Sequence, residues 1–265
     1  MSRPPVMTAA GPLFLDQRLD DLSHAEVISH LYQMNRAGTY TYLVTPNIHH
    51  LLRLLNTQAG DMKGDYGGAD LVICDSRVVE MLASFVGKRI TAYPGADIVK
   101  DLLASKPERR YLVGVVGPAA EQVASLSAQY PAWRFAHYAT PMMQVGTPDF
   151  DAAVDQVLAG EWDFLLLCLG FPKQEAFAAA LRQRGRSSGT ALCVGASVDF
   201  LVGTQRRAPR FVQRARLEWL HRLLQDPKRL WRRYLIEGPG IFYWYLKLEV
   251  MNRTRPTGPQ QRSLG

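Results

Sequence analysis

Short, nearly unbroken apolar runs recur along the chain. Each is followed by a stretch in which apolar residues return at helical spacing. Residues 40–44, 69–74, 111–116, 133–138, 165–169 and 190–194 read as strands. The run at 165–169, Leu-Leu-Leu-Cys-Leu, has no polar position, as expected of a strand buried on both faces of a parallel sheet. Between the runs lie helical patterns. Ser23 with Glu26 makes a capping box for a helix to about Met34. Thr45 is positioned as an N-cap, with Pro46 as first helical residue, for a helix over 48–55. Further helices are expected over 78–86, 96–104 (entered through Pro94-Gly95), 119–129, 152–158 and 176–184, the last with Pro172 at its start. No internal repeat is evident. This alternation predicts an α/β fold: a three-layer sandwich with a mainly parallel, Rossmann-like sheet.

The pattern changes after residue 203. Leu217, Leu220 and Leu224 fall at helical spacing among arginines, and Trp231, Tyr234 and the aromatic run 242–245 follow. Such a basic, amphipathic, aromatic-rich element suits an anionic membrane surface; a solvated helical hairpin is the plainer reading. From Arg206 to Arg233 there are ten Lys/Arg against Glu218 and Asp226. That segment carries +8, and the rest of a chain of net charge +7 carries −1. The expected division is a catalytic α/β domain over 1–203, a basic membrane-associating helical appendage over 204–251, and a disordered Pro/Gly/Arg-rich tail over 252–265. No apolar run approaches the ~20 residues of a membrane span, and no signal-peptide pattern opens the chain. The expectation is a cytoplasmic protein, peripheral on the inner face of the cytoplasmic membrane. Cys74, Cys168 and Cys193 lack metal-ligand spacing and read as small core residues.

Candidate chemistry gathers at strand ends, the edge where open α/β sheets bind ligands. Thr45 and Asn47, Asp75, Gly114 and Gly117, and Gly170 with Lys173, Gln174 and Glu175 all fall there. Gly170 is expected to permit close backbone approach. Each residue also has a structural reading as a cap or a solvated first-turn side chain. Gly114 and Gly117 lack the third glycine of a dinucleotide fingerprint, which argues against a nicotinamide-dependent sugar-nucleotide oxidoreductase. Asp149-Phe150-Asp151 has the spacing of a metal-binding pair, but it opens a helix and reads as N-terminal helix charge.

Several blocks then fall in one order: Thr45-Pro46-Asn47, Ala69-Asp70 through Asp75, Arg89 with Gly95-Ala96-Asp97, and Gly170-Phe171-Pro172-Lys173-Gln174-Glu175. Gly195, Asp199-Phe200 and Gly203 follow, then Arg207-Ala208-Pro209 and Leu217-Glu218-Trp219 with Arg222. Over roughly 13–249 the chain resembles the WecG/TagA/CpsF family of bacterial glycosyltransferases. The resemblance implies transfer of a sugar from a UDP-linked donor to a polyprenyl-diphosphate-linked saccharide acceptor at the membrane. It also implies inversion at the anomeric carbon, no metal and no cofactor. Where the family commonly has Gly after the strand-end Asp, this chain has Ser76; Asp97 also sits behind Tyr93-Pro94-Gly95. The family's best-known sugar, N-acetylmannosamine, is therefore not carried over.

Inverting transfer needs a base for the acceptor hydroxyl. Asp75, a strand-end carboxylate aligned with the family's acid, is the candidate. Thr45, Asn47, Arg89, Gly170, Lys173, Gln174 and Glu175 are expected to bind substrate, Arg89 through either diphosphate or sugar. Without a metal, guanidinium groups must balance the leaving diphosphate. Arg207, Arg210 and Arg214, nearest the α/β domain, are assigned to phosphate, and the later cluster through Arg233 to lipid. The competing reading, a nucleic-acid-binding protein using the basic tail, lacks a recognised module and leaves the strand-end pocket unexplained. A homo-oligomer in which copies exchange the appendage stays open.

Overall fold

A two-residue hairpin turn joins β1 (Leu13–Phe14) to β2 (Gln17–Arg18) and precedes a wholly parallel sheet in the computed structural model, which describes residues 11–55, 60–205, 208–209, 212 and 217–251. The sheet strands are β3 (Thr41–Val44), β4 (Leu71–Val72), β5 (Leu112–Val116), β6 (Arg134–Tyr138), β7 (Phe164–Leu167) and β8 (Thr190–Cys193). They are ordered β4-β3-β8-β7-β5-β6. Alternation along each strand divides the apolar residues between two cores. Leu43, Val113, Val115, Leu166 and Leu192 enter one, with α1 (His24–Arg36), α5 (Gly95–Ala104) and α6 (Ala120–Gln129). Val44, Val116, Leu165, Leu167 and Cys193 enter the other, with α2 (Ile48–Leu55), α3 (Gly60–Gly67), α4 (Arg77–Phe85), α7 (Pro148–Ala159) and α8 (Lys173–Gln183). The expected three layers are present. The cysteines are free; Cys74 and Cys193 are buried.

Local chemistry explains where boundaries match the sequence reading and where they move. The Ser23–Glu26 capping box forms as expected, Ser23 N donating to Glu26 Oε2 at 2.8 Å. α7 starts at Pro148 rather than 152, because Thr147 accepts from Phe150 N and the proline occupies the first helical turn. Asp149 and Asp151 thus lie in that first turn, and Arg184 pairs with Asp151. The run 69–74 pairs as a strand only over Leu71–Val72. Beyond it, Ile73 N and Asp75 N still donate to Val44 O and Pro46 O, so Asp75 is delivered in register beside the end of β3. The tight approach of strand ends occurs at Gly117, not Gly170. A Cβ on Gly117, whose φ is +109°, would stand 2.7 Å from Cys168 O, whereas nothing lies within 4 Å of one on Gly170.

After α9 (Ser197–Leu201) the described chain continues as α10 (Glu218–Gln225), α11 (Pro227–Trp231), a π-helical turn over Arg232–Glu237, α12 (Gly240–Tyr245) and a second π turn over Leu246–Val250. These C-terminal helices do not build a core of their own. Ile241 and Tyr245 enter the core that holds Leu51 and Leu52 of α2. Buried Glu249 fastens the end of the appendage to the hairpin: its Oε1 accepts from Leu15 N at 2.8 Å, and its Oε2 pairs with Lys88 Nζ at 2.6 Å. Leu15 and Asp16, the two residues of the hairpin turn, both have positive φ. Among the described residues no helix is long and apolar enough to cross a membrane. Arg207, Arg210, Arg214 and the tail 252–265 lie outside the described residues.

Candidate functional site

The carboxyl ends of β3, β4, β7 and β8 meet the appendage across a cleft made of two adjoining cavities. The larger, about 590 Å³, is lined mainly by polar groups and backbone. It includes Thr45, Asn47, His50, Asp75, Gly170, Gln174, Gly195, Asp199, Arg233 and Tyr234. The smaller, about 360 Å³, is mainly apolar, with Ile48, Val78, Trp219, Leu235, Ile241 and Phe242 in its wall. Asn47, Asp75, Arg233 and Tyr234 line both. A carboxylate and an amide therefore stand at the junction of a polar and an apolar chamber.

Each strand-end side chain is fixed by a specific bond. Thr45 is not the cap of α2. Its hydroxyl donates across the sheet to Cys193 O at 2.7 Å, and Asn47 takes the capping role, its Oδ1 accepting from His49 N at 3.0 Å. Nor does Asp75 cap α4; Ser76 does, its Oγ accepting from Val79 N. Ser76 thus has a local structural use that glycine would not supply. Asp75 Oδ1 instead accepts from Gly95 N at 3.0 Å, at the start of α5. Asp199, on α9, is held by Gln122 Nε2 at 2.6 Å.

Gln174 and Glu175 follow β7 into the first turn of α8, and both are buried. Gln174 lines the larger cavity. Its Oε1 accepts from Gly195 N at 2.9 Å, and its Nε2 donates to Glu175 Oε1 at 2.8 Å. Glu175 stands behind it, where burial pushes its carboxyl up to about 7. His49 and His50 open α2. Burial, reinforced by the Arg233 cation, lowers His49 to about 4 and holds His50 well below the usual histidine range, so both are neutral near pH 7.

The structure brings Thr45, Asn47, Asp75, Gly170 and Gln174 to one cleft and places other expected site residues elsewhere. Lys173 is half-buried and lines neither cavity. Arg89 is exposed, its side chain 94% accessible and 3.6 Å from Asp21, and it lines neither cavity. Arg233, grouped with the lipid-facing cations on sequence grounds, lies in the cleft. Its Nη2 donates to Asn47 Oδ1 at 3.3 Å. His50, Asp199 and Tyr234 are cleft residues that the sequence reading did not select. His50 and Asp199 sit in first helical turns, where nothing in the local pattern separates a cleft-facing side chain from a solvated one. Among the described residues no three His, Cys, Asp or Glu side chains gather as a metal site.

Residues 13–255 match the model of the glycosyl transferase WecG/TagA/CpsF family. The chain belongs to this family. Three relatives carry the name N-acetylglucosaminyldiphosphoundecaprenol N-acetyl-beta-D-mannosaminyltransferase. That of Bacillus spizizenii (strain W23) is 30% identical over 172 residues, 63% of this chain and 65% of the relative. That of Bacillus subtilis (strain 168) is 28% identical, over 73% of this chain and 75% of the relative. That of Staphylococcus aureus (strain MW2) is 27% identical, over 75% and 77%. The match to the Bacillus spizizenii relative thus spans just under two thirds of that protein's length.

Proposed function

We propose that this glycosyltransferase moves a sugar from a UDP-linked donor held in the larger cavity to a polyprenyl-diphosphate-linked acceptor entering through the smaller one. The observation that carries the reading is that Asp75 lines both cavities. A base for this reaction must touch the acceptor hydroxyl while that oxygen faces the donor's anomeric carbon. The chemistry is a single displacement. The acceptor oxygen forms a bond to the anomeric carbon, the bond from that carbon to the diphosphate breaks with its electron pair leaving on UDP, and Asp75 takes the hydroxyl proton. Configuration inverts.

The surroundings suit those roles. A cavity of about 590 Å³ is within the usual range for a ligand of nucleotide-sugar size. Arg233 supplies a cation for the leaving diphosphate, and Asn47 and Gln174 supply neutral hydrogen-bonding groups for sugar hydroxyls or an N-acetyl group. Asp199 suits ribose hydroxyls as an acceptor. Trp219, Tyr234 and Phe242 give the acceptor chamber faces on which a sugar ring or an isoprene unit can stack. The names of the relatives point to a lipid-linked acceptor, hence to work at a membrane surface. The appendage exposes Leu224, Trp231, Ile236, Tyr243, Leu246 and Met251 beside its basic residues. The test is turnover of a panel of UDP-sugars against N-acetylglucosaminyldiphosphoundecaprenol in micelles, with product configuration read by NMR. Transfer with inversion, lost on Asp75→Asn, is expected. Retention of configuration, or full turnover without Asp75, would overturn the reading.

A further inference from the structure

A chain of hydrogen bonds runs from the cleft to a carboxylate that never reaches it. Asn47 Oδ1 accepts from His49 N at 3.0 Å, His50 N at 3.4 Å and Arg233 Nη2 at 3.3 Å. With the oxygen so engaged, the Asn47 amide nitrogen is the atom 3.5 Å from His50 Nε2. That ring nitrogen must then accept, and in a neutral imidazole the proton sits on Nδ1. His50 Nδ1 lies 2.8 Å from Tyr66 Oη, to which it donates, and Tyr66 donates onward to Glu175 Oε1 at 3.4 Å. The same Oε1 accepts from Gln174 Nε2 at 2.8 Å, and Gln174 Oε1 is occupied by Gly195 N. One amide hydrogen of Gln174 is thereby left for the cleft. Every donor along both arms points toward Glu175, which is 1% exposed. Its other oxygen, Oε2, is buried without a hydrogen-bond partner among the described residues. A proton on Glu175 therefore belongs on Oε2, and Oε1 accepts in either state.

We propose that Glu175 is a positioning residue: as the common terminal acceptor of Tyr66 and Gln174 it fixes the tautomer of His50, so that Nε2 stays an acceptor facing the Asn47 amide, and it fixes the orientation of the Gln174 amide. Asn47, oriented by its capping bonds, presents oxygen to Arg233 and finds an acceptor for its N–H in His50, and Gln174 presents N–H to the substrate. The dispersed sequence positions of this set, 47, 50, 66, 174 and 175, meet only in the fold. A buried network of this kind loses its direction when its one acceptor is removed, because each remaining member can turn to satisfy itself.

Two substitutions separate positioning from simple support of the fold. Glu175→Met keeps the volume and removes the acceptor; Tyr66 then donates to His50 Nδ1, the ring proton moves to Nε2, and Asn47 loses its acceptor. Tyr66→Phe cuts only the His50 arm. The His50 tautomer, read from imidazole ¹⁵N shifts of the full-length protein, is expected to be Nδ1–H in wild type and Nε2–H in Glu175→Met. In folded Glu175→Met protein, kcat with N-acetylglucosaminyldiphosphoundecaprenol and the UDP-sugar of the panel that the wild type turns over fastest is expected to fall about tenfold or more. UDP affinity should change less than about threefold. Tyr66→Phe should lie between. Glu175→Gln, which restores an acceptor oxygen at the same place, should recover most of what Glu175→Met loses. The kinetic arm rests on the glycosyl-transfer reading; the tautomer arm does not, so the two can fail separately. His50 remaining Nδ1–H in folded Glu175→Met would overturn the proposal. So would Glu175→Met protein with wild-type kcat per folded molecule.

Discussion

Asp75 and Glu175 are two acids with different settings: one lines the cleft, the other is sealed behind it. Asp75 is anchored by Gly95 N, so Asp75→Asn can keep that bond while losing its basicity. Turnover is expected to fall roughly 10²-fold or more, with UDP binding and the thermal midpoint nearly unchanged; steady-state kinetics and titration of UDP check this. Glu175 gives a pH signature of stability. Its folded-state value of about 7 lies above the ordinary 4.5, because burial penalises the anion. The folded protein thus holds a proton that the unfolded chain releases, and this contribution to stability declines as pH rises from about 4.5 to about 7. The full shift is about 3 kcal/mol. His49 and His50 act with opposite sign: their depressed values cost stability as pH falls below the ordinary 6.5. The difference between wild type and Glu175→Gln isolates the carboxyl. Chemical denaturation across pH 4 to 8 is expected to show the variant gaining relative stability as pH rises, by up to about 3 kcal/mol.

At the scale of elements, the appendage matters because it closes a cleft that the sheet only half builds. The π turn over Arg232–Glu237 carries Arg233 to Asn47, and α12 sets Ile241 and Tyr245 into the core. Its far end is held through Glu249, bonded to Leu15 N and Lys88. Glu249→Ala takes the carboxylate from Lys88, which among the described residues keeps only Leu13 O, and leaves Leu15 N without its acceptor, a loss of about 2 kcal/mol on the usual scale for charged hydrogen bonds. The expected result is faster limited proteolysis within residues 217–251 and a several-fold lower kcat, with the parallel sheet intact by circular dichroism. An unchanged proteolysis rate would show that apolar packing alone seats the element.

Across the whole molecule, charge and apolar exposure are concentrated at one end of the chain. Net positive charge belongs to Arg206–Arg233, and among the described residues most exposed large apolar side chains follow from 217. Anionic lipid attracts basic residues near its surface by about 1 kcal/mol each, so a handful suffices for reversible binding. Ile236 and Leu246 are 62% and 54% exposed and line neither cavity. Replacing both by Glu is expected to weaken binding to vesicles of anionic phospholipid about tenfold or more in sedimentation assays. Hydrolysis or transfer on a short-chain, soluble acceptor should be far less affected. Binding of the unmodified protein should also weaken as salt rises, since exposed charges are screened over about 10 Å at 0.1 M.

The sequence by itself determined the sheet and its layers, because a parallel sheet demands apolar runs and amphipathic helices whose periods are local. The runs at 165–169 and 190–194 became β7 and β8, and the capping box at Ser23 opened α1. Asp75, Asn47, Thr45, Gly170 and Gln174 were legible as cleft residues because a strand's carboxyl end fixes where its next residues point. What only the tertiary structure decided was every contact between distant segments. Thr45 bonds Cys193 instead of capping its own helix, Glu175 turns inward to Tyr66, and Arg233 crosses 186 residues to Asn47. Arg89, whose motif placed it among the site residues, stands in solvent beside Asp21. Local pattern sets what a segment becomes; which side chain of a helix's first turn faces a cleft depends on what packs against it, and that partner lies far along the chain.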